Sequence, residues 1–165
     1  MAFVHAPGWQ PPTGNLIKAT LPANAPRFGA YAVRFSDSSE RDLSGEFFTS
    51  ETNFGPRNGD GSPTLIHHGN VIAPGLEAFA SVILPDAKVH RDSKGLFAST
   101  QLNLEDRLHA AIADLILSGA FRWSSGSRYD LVLKEPDGKI LRWPPLEFSL
   151  TPTRAEPRLP RLTQI

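Results

Sequence analysis

A single stretch of this chain carries the repeat of an amphipathic helix. Leu104, Leu108, Ala111, Ile112, Leu115 and Ile116 fall on one stripe at helical spacing. Asn103 is the expected N-cap, Glu105 and Asp106 sit where the helix dipole favours acids, and Ser118-Gly119 is a stop signal. A core beyond that helix has to be built from short strands.

Proline limits where those strands can lie. Pro7, Pro11, Pro12, Pro22 and Pro26 crowd the first 28 residues, and Pro152, Pro157 and Pro160 alternate with Arg154, Arg158 and Arg161 at the other end. Proline lacks an N–H and resists helix interiors and central strands. The expected organisation is a Pro-rich arm over 1–28, a domain over 29–151, and an extended, poorly packed Pro/Arg-rich tail over 152–165. Within the arm only 16–21 suggests a short strand.

Inside the domain, 29–35, 46–49, 64–68, 80–84, 88–91 and 96–102 read as strands, with a turn at 92–95. After the helix, Trp123-Ser124-Ser125-Gly126-Ser127 reads as a polar turn, and 129–134 with 139–143 as a hairpin. The last strand, 146–151, alternates. Leu146, Phe148 and Leu150 share one face; Glu147, Ser149 and Thr151 share the other. This predicts an α+β domain, a curled sheet or small barrel with one main helix.

Composition narrows the function classes. Lys+Arg and Asp+Glu are both 17, so the net charge is zero, unlike the basic excess of a general nucleic-acid binder. There is no cysteine, which excludes disulfides, thiolate metal sites and a cysteine nucleophile. No apolar run reaches the roughly 20 residues that span a bilayer, and the first residues lack the basic start and apolar core of a signal peptide. The expectation is a soluble, intracellular protein.

The residues that offer chemistry are hydroxyls, imidazoles and a carboxylate. A serine attacks only when a base takes its proton, and the base works best when a carboxylate fixes its tautomer. Ser124, His68 and Glu147 all fall at or near predicted strand termini and supply those three parts. Gly126 lets a substrate backbone approach and leaves neighbouring N–H groups free for an oxyanion. Plain alternatives stand beside each: a solvated turn for the serines, a packed and an exposed ring for His67 and His68, a solvent-facing charge for Glu147. Trp123 and Trp143 read as core or pocket walls, and His5, His90 and His109 have no supporting context. His67 and His68 as neighbours on a strand point to opposite faces and do not readily share one ion.

The segment from Thr64 to Arg158 resembles the prohead proteases of tailed phages, the capsid maturation serine proteases related to herpesvirus assemblins. The resemblance rests on Leu65-Ile66-His67-His68-Gly69, on Lys94-Gly95-Leu96-Phe97-Ala98, on the helix ending Leu117-Ser118-Gly119-Ala120, and on Trp123-Ser124-Ser125-Gly126-Ser127. The closing motif is the most specific: Leu146-Glu147-Phe148-Ser149-Leu150-Thr151-Pro152, running on through Ala155 to Pro157. Residues 42–49 match more loosely, and the Pro-rich arm has no counterpart.

The resemblance implies an antiparallel β-barrel-like core with one main helix and short flanking helices. It implies His68 as base, Ser124 as nucleophile with Ser125 as its rival, Glu147 as acid, and backbone at Ser125 and Gly126 for the oxyanion. It implies a serine endopeptidase that cleaves scaffold and capsid-protein segments during phage head maturation, inside the procapsid in the host cytoplasm. Its partners would be the major capsid protein and scaffold segment, with self-association open, and neither nucleic acid nor membrane. No metal or organic cofactor is implied. The alternatives are a catalytically inactive relative acting as a capsid assembly factor, and a metal-dependent hydrolase using His67 or His68.

Overall fold

The computed structural model describes residues 3–10, 21–75, 77–153 and 156–165, so the strand expected at 16–21 lies outside the described residues except for Leu21. In chain order the elements are β1 (Phe3–His5), β2 (Arg27–Arg34), β3 (Phe47–Asn53), β4 (Thr64–Ile66), the single turn α1 (Glu77–Ala80), β5 (Ile83–Leu84), β6 (Lys88–Arg91) and β7 (Gly95–Gln101). They continue with α2 (Arg107–Leu117), β8 (Arg122–Arg128), β9 (Leu133–Lys134), β10 (Lys139–Arg142), β11 (Glu147–Thr151) and β12 (Thr163–Gln164). Short 3-10 turns occupy His67–Gly69 and Tyr129–Leu131. The fold is mixed, mostly sheet with one main helix.

Three sheets form, and among the described residues none closes on itself: β1-β8-β11-β4-β5, β12-β2-β7-β6, and β3-β10-β9. Most pairs are antiparallel, but β1/β8, β4/β11 and β3/β10 are parallel. One core cluster joins Phe28, Ile66, Ile112, Ile116, Trp123 and Phe148, so it ties α2 to two of the sheets. A second holds Val33, Phe54, Leu96, Ile140 and Trp143. Each such large side chain stabilises the fold by about 1.5–3 kcal/mol when fully buried.

Several local expectations are corrected. The helix is capped by Asp106, whose carboxylate accepts from the N–H groups of Leu108 and His109. Asn103 instead uses its side chain on the Glu105 N–H, and its own N–H donates to His109 Nδ1 at 3.0 Å. His109 is buried, and Leu104 falls outside the helix and is exposed. Residues 80–84 divide between the end of α1 and β5, and 129–134 between a 3-10 turn and β9.

The tail is packed, against expectation. Leu159 and Leu162 are buried, β12 pairs with β2, and Arg158 bonds both Glu156 and Glu40. The first residues are likewise not a loose arm: β1 is a strand of the main sheet, in parallel register with β8 through Phe3↔Gly126 and His5↔Arg128. Among the described residues no helix is long and apolar enough to cross a membrane.

Candidate active site

The serines lie on a strand, not a turn. β8 runs through the main sheet between β1 and β11, and every residue from Arg122 to Ser127 is buried. Antiparallel pairing with β11 sets Ser124 opposite Ser149 and Gly126 opposite Glu147. Cross-strand partners share a face, with Cβ atoms about 4.5–5.5 Å apart. Ser124, Gly126, Glu147 and Ser149 therefore line one side of the sheet, while Trp123, Ser125 and Phe148 line the other.

That division separates the two candidate hydroxyls. Ser125 accepts a hydrogen bond from the buried Trp143 indole at 3.2 Å, on the face away from Glu147. Ser124 makes no hydrogen bond through its hydroxyl among the described residues and keeps 7% of its surface exposed. Ser127 is tied to the Pro144 carbonyl at 2.8 Å. Trp123 and Trp143 are fully buried, in keeping with walls of the core.

His68 reaches this face by a reversal of the chain. β4 ends at Ile66, which pairs with Leu150, so a continuing strand would carry residue 68 past the end of β11. Instead His67 and His68 both take left-handed backbone angles, with φ of 46° and 59°. Each such residue costs on the order of 1–3 kcal/mol unless its surroundings hold it. Here they do: the His68 N–H donates to Ser149 Oγ at 3.1 Å, and His68 Nδ1 lies 2.6 Å from Glu147 Oε1. His67 departs toward Thr151, its Nδ1 2.8 Å from the hydroxyl oxygen. That hydroxyl donates to the Thr153 carbonyl, so Nδ1 of His67 carries the proton. Burial, and to a lesser degree the charge of His68, hold His67 below the ordinary imidazole range.

Glu147 is not a solvent-facing charge; it is fully buried. Burial alone would push its carboxyl up. The approach of His5, its Nε2 3.5 Å from Oε1, the hydrogen bond from His68, the charge of His68 and the Ser149 hydroxyl outweigh burial and bring it below the usual carboxylate range. An ionised carboxylate only accepts, so His68 Nδ1 is the donor, and in the neutral ring Nε2 carries the lone pair. Gly126 makes the arrangement possible in a way its sequence context did not suggest. A Cβ there would lie 1.8 Å from Glu147 Oε1, so the carboxylate occupies the space that a side chain would fill.

Two contributors were missed by sequence reasoning. Ser149 clamps both partners, accepting from the His68 N–H and donating to Glu147 Oε2. Its place on the Glu147 face was the available signal. His5, on β1, brings Nε2 to 3.5 Å from Glu147 Oε1, while Phe3 stacks on the His68 ring at 4.1 Å. The flanking arginines are committed elsewhere: Arg122 donates to the Gly119 and Phe121 carbonyls, and Arg128 pairs with Asp130.

His5, His68 and Glu147 are the described residues whose donor atoms gather closely enough, within 4.8 Å of one another, to hold a metal ion. Ligands about 2.0–2.1 Å from a tetrahedral ion stand about 3.3 Å apart. The 2.6 Å between His68 and Glu147 is the spacing of a hydrogen bond instead. As built, the cluster fits an orienting carboxylate–imidazole pair better than an ion.

The acid side of the stability profile follows from Glu147. Its carboxyl is below its ordinary 4.5 in the fold, so its contribution is complete above that value and is lost as pH falls through the folded-state value. Urea unfolding midpoints are expected to drop more steeply below about pH 4.5 for the parent than for Glu147→Gln. Parallel curves would show that the carboxylate is not held in its charged form.

No family model, curated protein or solved structure matches this chain.

Proposed function

We propose that the chain is a serine endopeptidase that cleaves scaffold and capsid-protein segments during phage head maturation. One observation carries the reading: the β8/β11 pairing gives Ser124 a common face with a His68–Glu147 pair, and leaves the rival Ser125 on the opposite face. Ser124 attacks the scissile carbonyl as His68 Nε2 takes its proton. The same nitrogen returns the proton to the leaving amine, and water then releases the acyl group by the reverse sequence. Glu147 holds the His68 tautomer and stabilises the imidazolium.

The oxyanion donors are backbone N–H groups at Ser125 and Gly126. Support for Ser125 comes from the β8 edge: described β1 residues pair with it only from Gly126 onward, whereas Gly126 itself is paired with both Phe3 and Glu147. A pocket bordered by Trp123, Ser124, Ser125, Phe47, Phe48 and Leu159 flanks the part of β8 that no described β1 residue pairs with. An extended peptide laid along it would pair as an added strand. The resemblance in sequence also implies a barrel-like core, and we take the three open sheets as its counterpart here. Action inside the procapsid, in the host cytoplasm, and self-association belong to the same reading.

Co-expression with a capsid protein bearing its scaffold segment tests it. Discrete shortening of the capsid chain is the expected result. Intact capsid chains in the presence of folded protein, with assembly proceeding, would favour a non-enzymatic assembly factor.

A further inference from the structure

We propose that His5 is a positioning residue of this site, a second imidazole that the first strand delivers to the carboxylate of Glu147. The parallel register of β1 on β8 sets Phe3 beside Gly126 and His5 beside Arg128, so both rings lie on the face that holds Glu147. His5 is buried, and among the described residues its Nε2 has no hydrogen-bond partner. The carboxylate oxygen Oε1 of Glu147 lies 3.5 Å from it. Trp9 stacks on the ring at 3.4 Å and Phe3 meets its edge at 4.7 Å, which fixes where Nε2 points.

The absent side chain at 126 opens the path. A Cβ there would lie 3.0 Å from His5 Nε2 as well as against the carboxylate. Three donors then converge on one buried charge. His68 Nδ1 and His5 Nε2 address Oε1, and the Ser149 hydroxyl addresses Oε2. A buried carboxylate stays ionised only when its lone pairs are met. A slight closure of the His5 contact completes the set, keeps the Nδ1 proton on His68, and so keeps Nε2 of His68 free as base. His5 touches no reacting atom; it acts through Glu147.

The test compares His5→Leu and His5→Phe, which keep an apolar or stacking side chain without a donor, with His5→Gln, whose amide nitrogen can stand near Nε2. Two readouts are taken on the full chain. The first is the low-field proton resonance of the His68–Glu147 hydrogen bond, with His68→Gln to assign it. It needs neither substrate nor Ser124. The second is the rate of peptide cleavage, which rests on the peptidase reading above. The resonance is expected to shift or broaden in Leu and Phe and to return in Gln. Cleavage should fall about 10- to 100-fold in Leu and Phe, the loss of one bond to a buried charge, and recover in Gln. A resonance unchanged in Leu and Phe overturns the proposal. So does a Gln variant as perturbed as Leu, because His5 would then serve packing alone. Stoichiometric zinc on the parent, lost in all three variants, would overturn it in favour of a metal site. If the resonance behaves as expected while no variant, nor the parent, cleaves peptide, the positioning role stands and the peptidase reading falls.

Discussion

Ser124→Ala should lower peptide cleavage by on the order of 10⁴-fold or more, with the fold intact. In serine hydrolases the nucleophile and its base act as a unit, so removing either forfeits nearly all of the rate that the unit supplies. Ser124 makes no hydrogen bond through its side chain among the described residues, so its truncation should cost little stability. Ser125→Ala should show the opposite pattern. Its hydroxyl accepts from Trp143, and a buried indole N–H left unpaired costs about 1–3 kcal/mol. Cleavage should stay near the parent level. The pair of variants thus separates a reacting hydroxyl from a structural one three atoms of backbone away, and a reversed pattern would move the nucleophile to the other face of the sheet.

Gly126→Ala should be a severely damaging change for so small an addition. The added carbon would lie 1.8 Å from Glu147 Oε1 and 2.7 Å from its Cδ. Something must move, and the carboxylate is the group in the way. Displacing it separates a buried charge from its partners, which typically costs 3–5 kcal/mol. Loss of the orienting acid should also reduce cleavage on the order of 10²- to 10⁴-fold. Destabilisation alone would not identify the cause, so the variant belongs in a double-mutant cycle with Glu147→Ala. There the carboxylate no longer stands in the way, the remaining close atom is His5 Nε2 at 3.0 Å, and most of the cost should disappear. Additive effects would mean that the carboxylate does not occupy the space over Gly126.

How much of this could be read from the sequence depends on what each residue's neighbours are. The α2 stripe was legible because Leu108, Ile112, Leu115 and Ile116 repeat at a period set by local geometry. The alternation of β11 was legible too, and it set Glu147 and Ser149 on one face. Their burial was not, because it depends on β8, β4 and the turn at His67–Gly69 covering that face from far along the chain. β8 itself was hidden by its composition. Serine and glycine are poor strand formers, and they signal a turn unless a polar site occupies the sheet. The His67–His68 reversal carried no signal, since neither residue is glycine and the strain is held by tertiary bonds. β1 was hidden for a different reason: Pro7, Gly8 and the prolines that follow read as an irregular arm. Its pairing with Gly126 to Arg128 spans most of the chain. His5 therefore had no local context that could have marked it.

The central claim is that His68, backed by Glu147, makes the hydroxyl of residue 124 reactive. Treatment of the folded protein with a fluorophosphonate, followed by peptide mass mapping, addresses it most directly. A single phosphonyl adduct on Ser124, absent in His68→Gln and strongly slowed in Glu147→Gln, is the predicted result. An adduct on Ser125, labelling indifferent to His68, or no labelling of a correctly folded chain would contradict it.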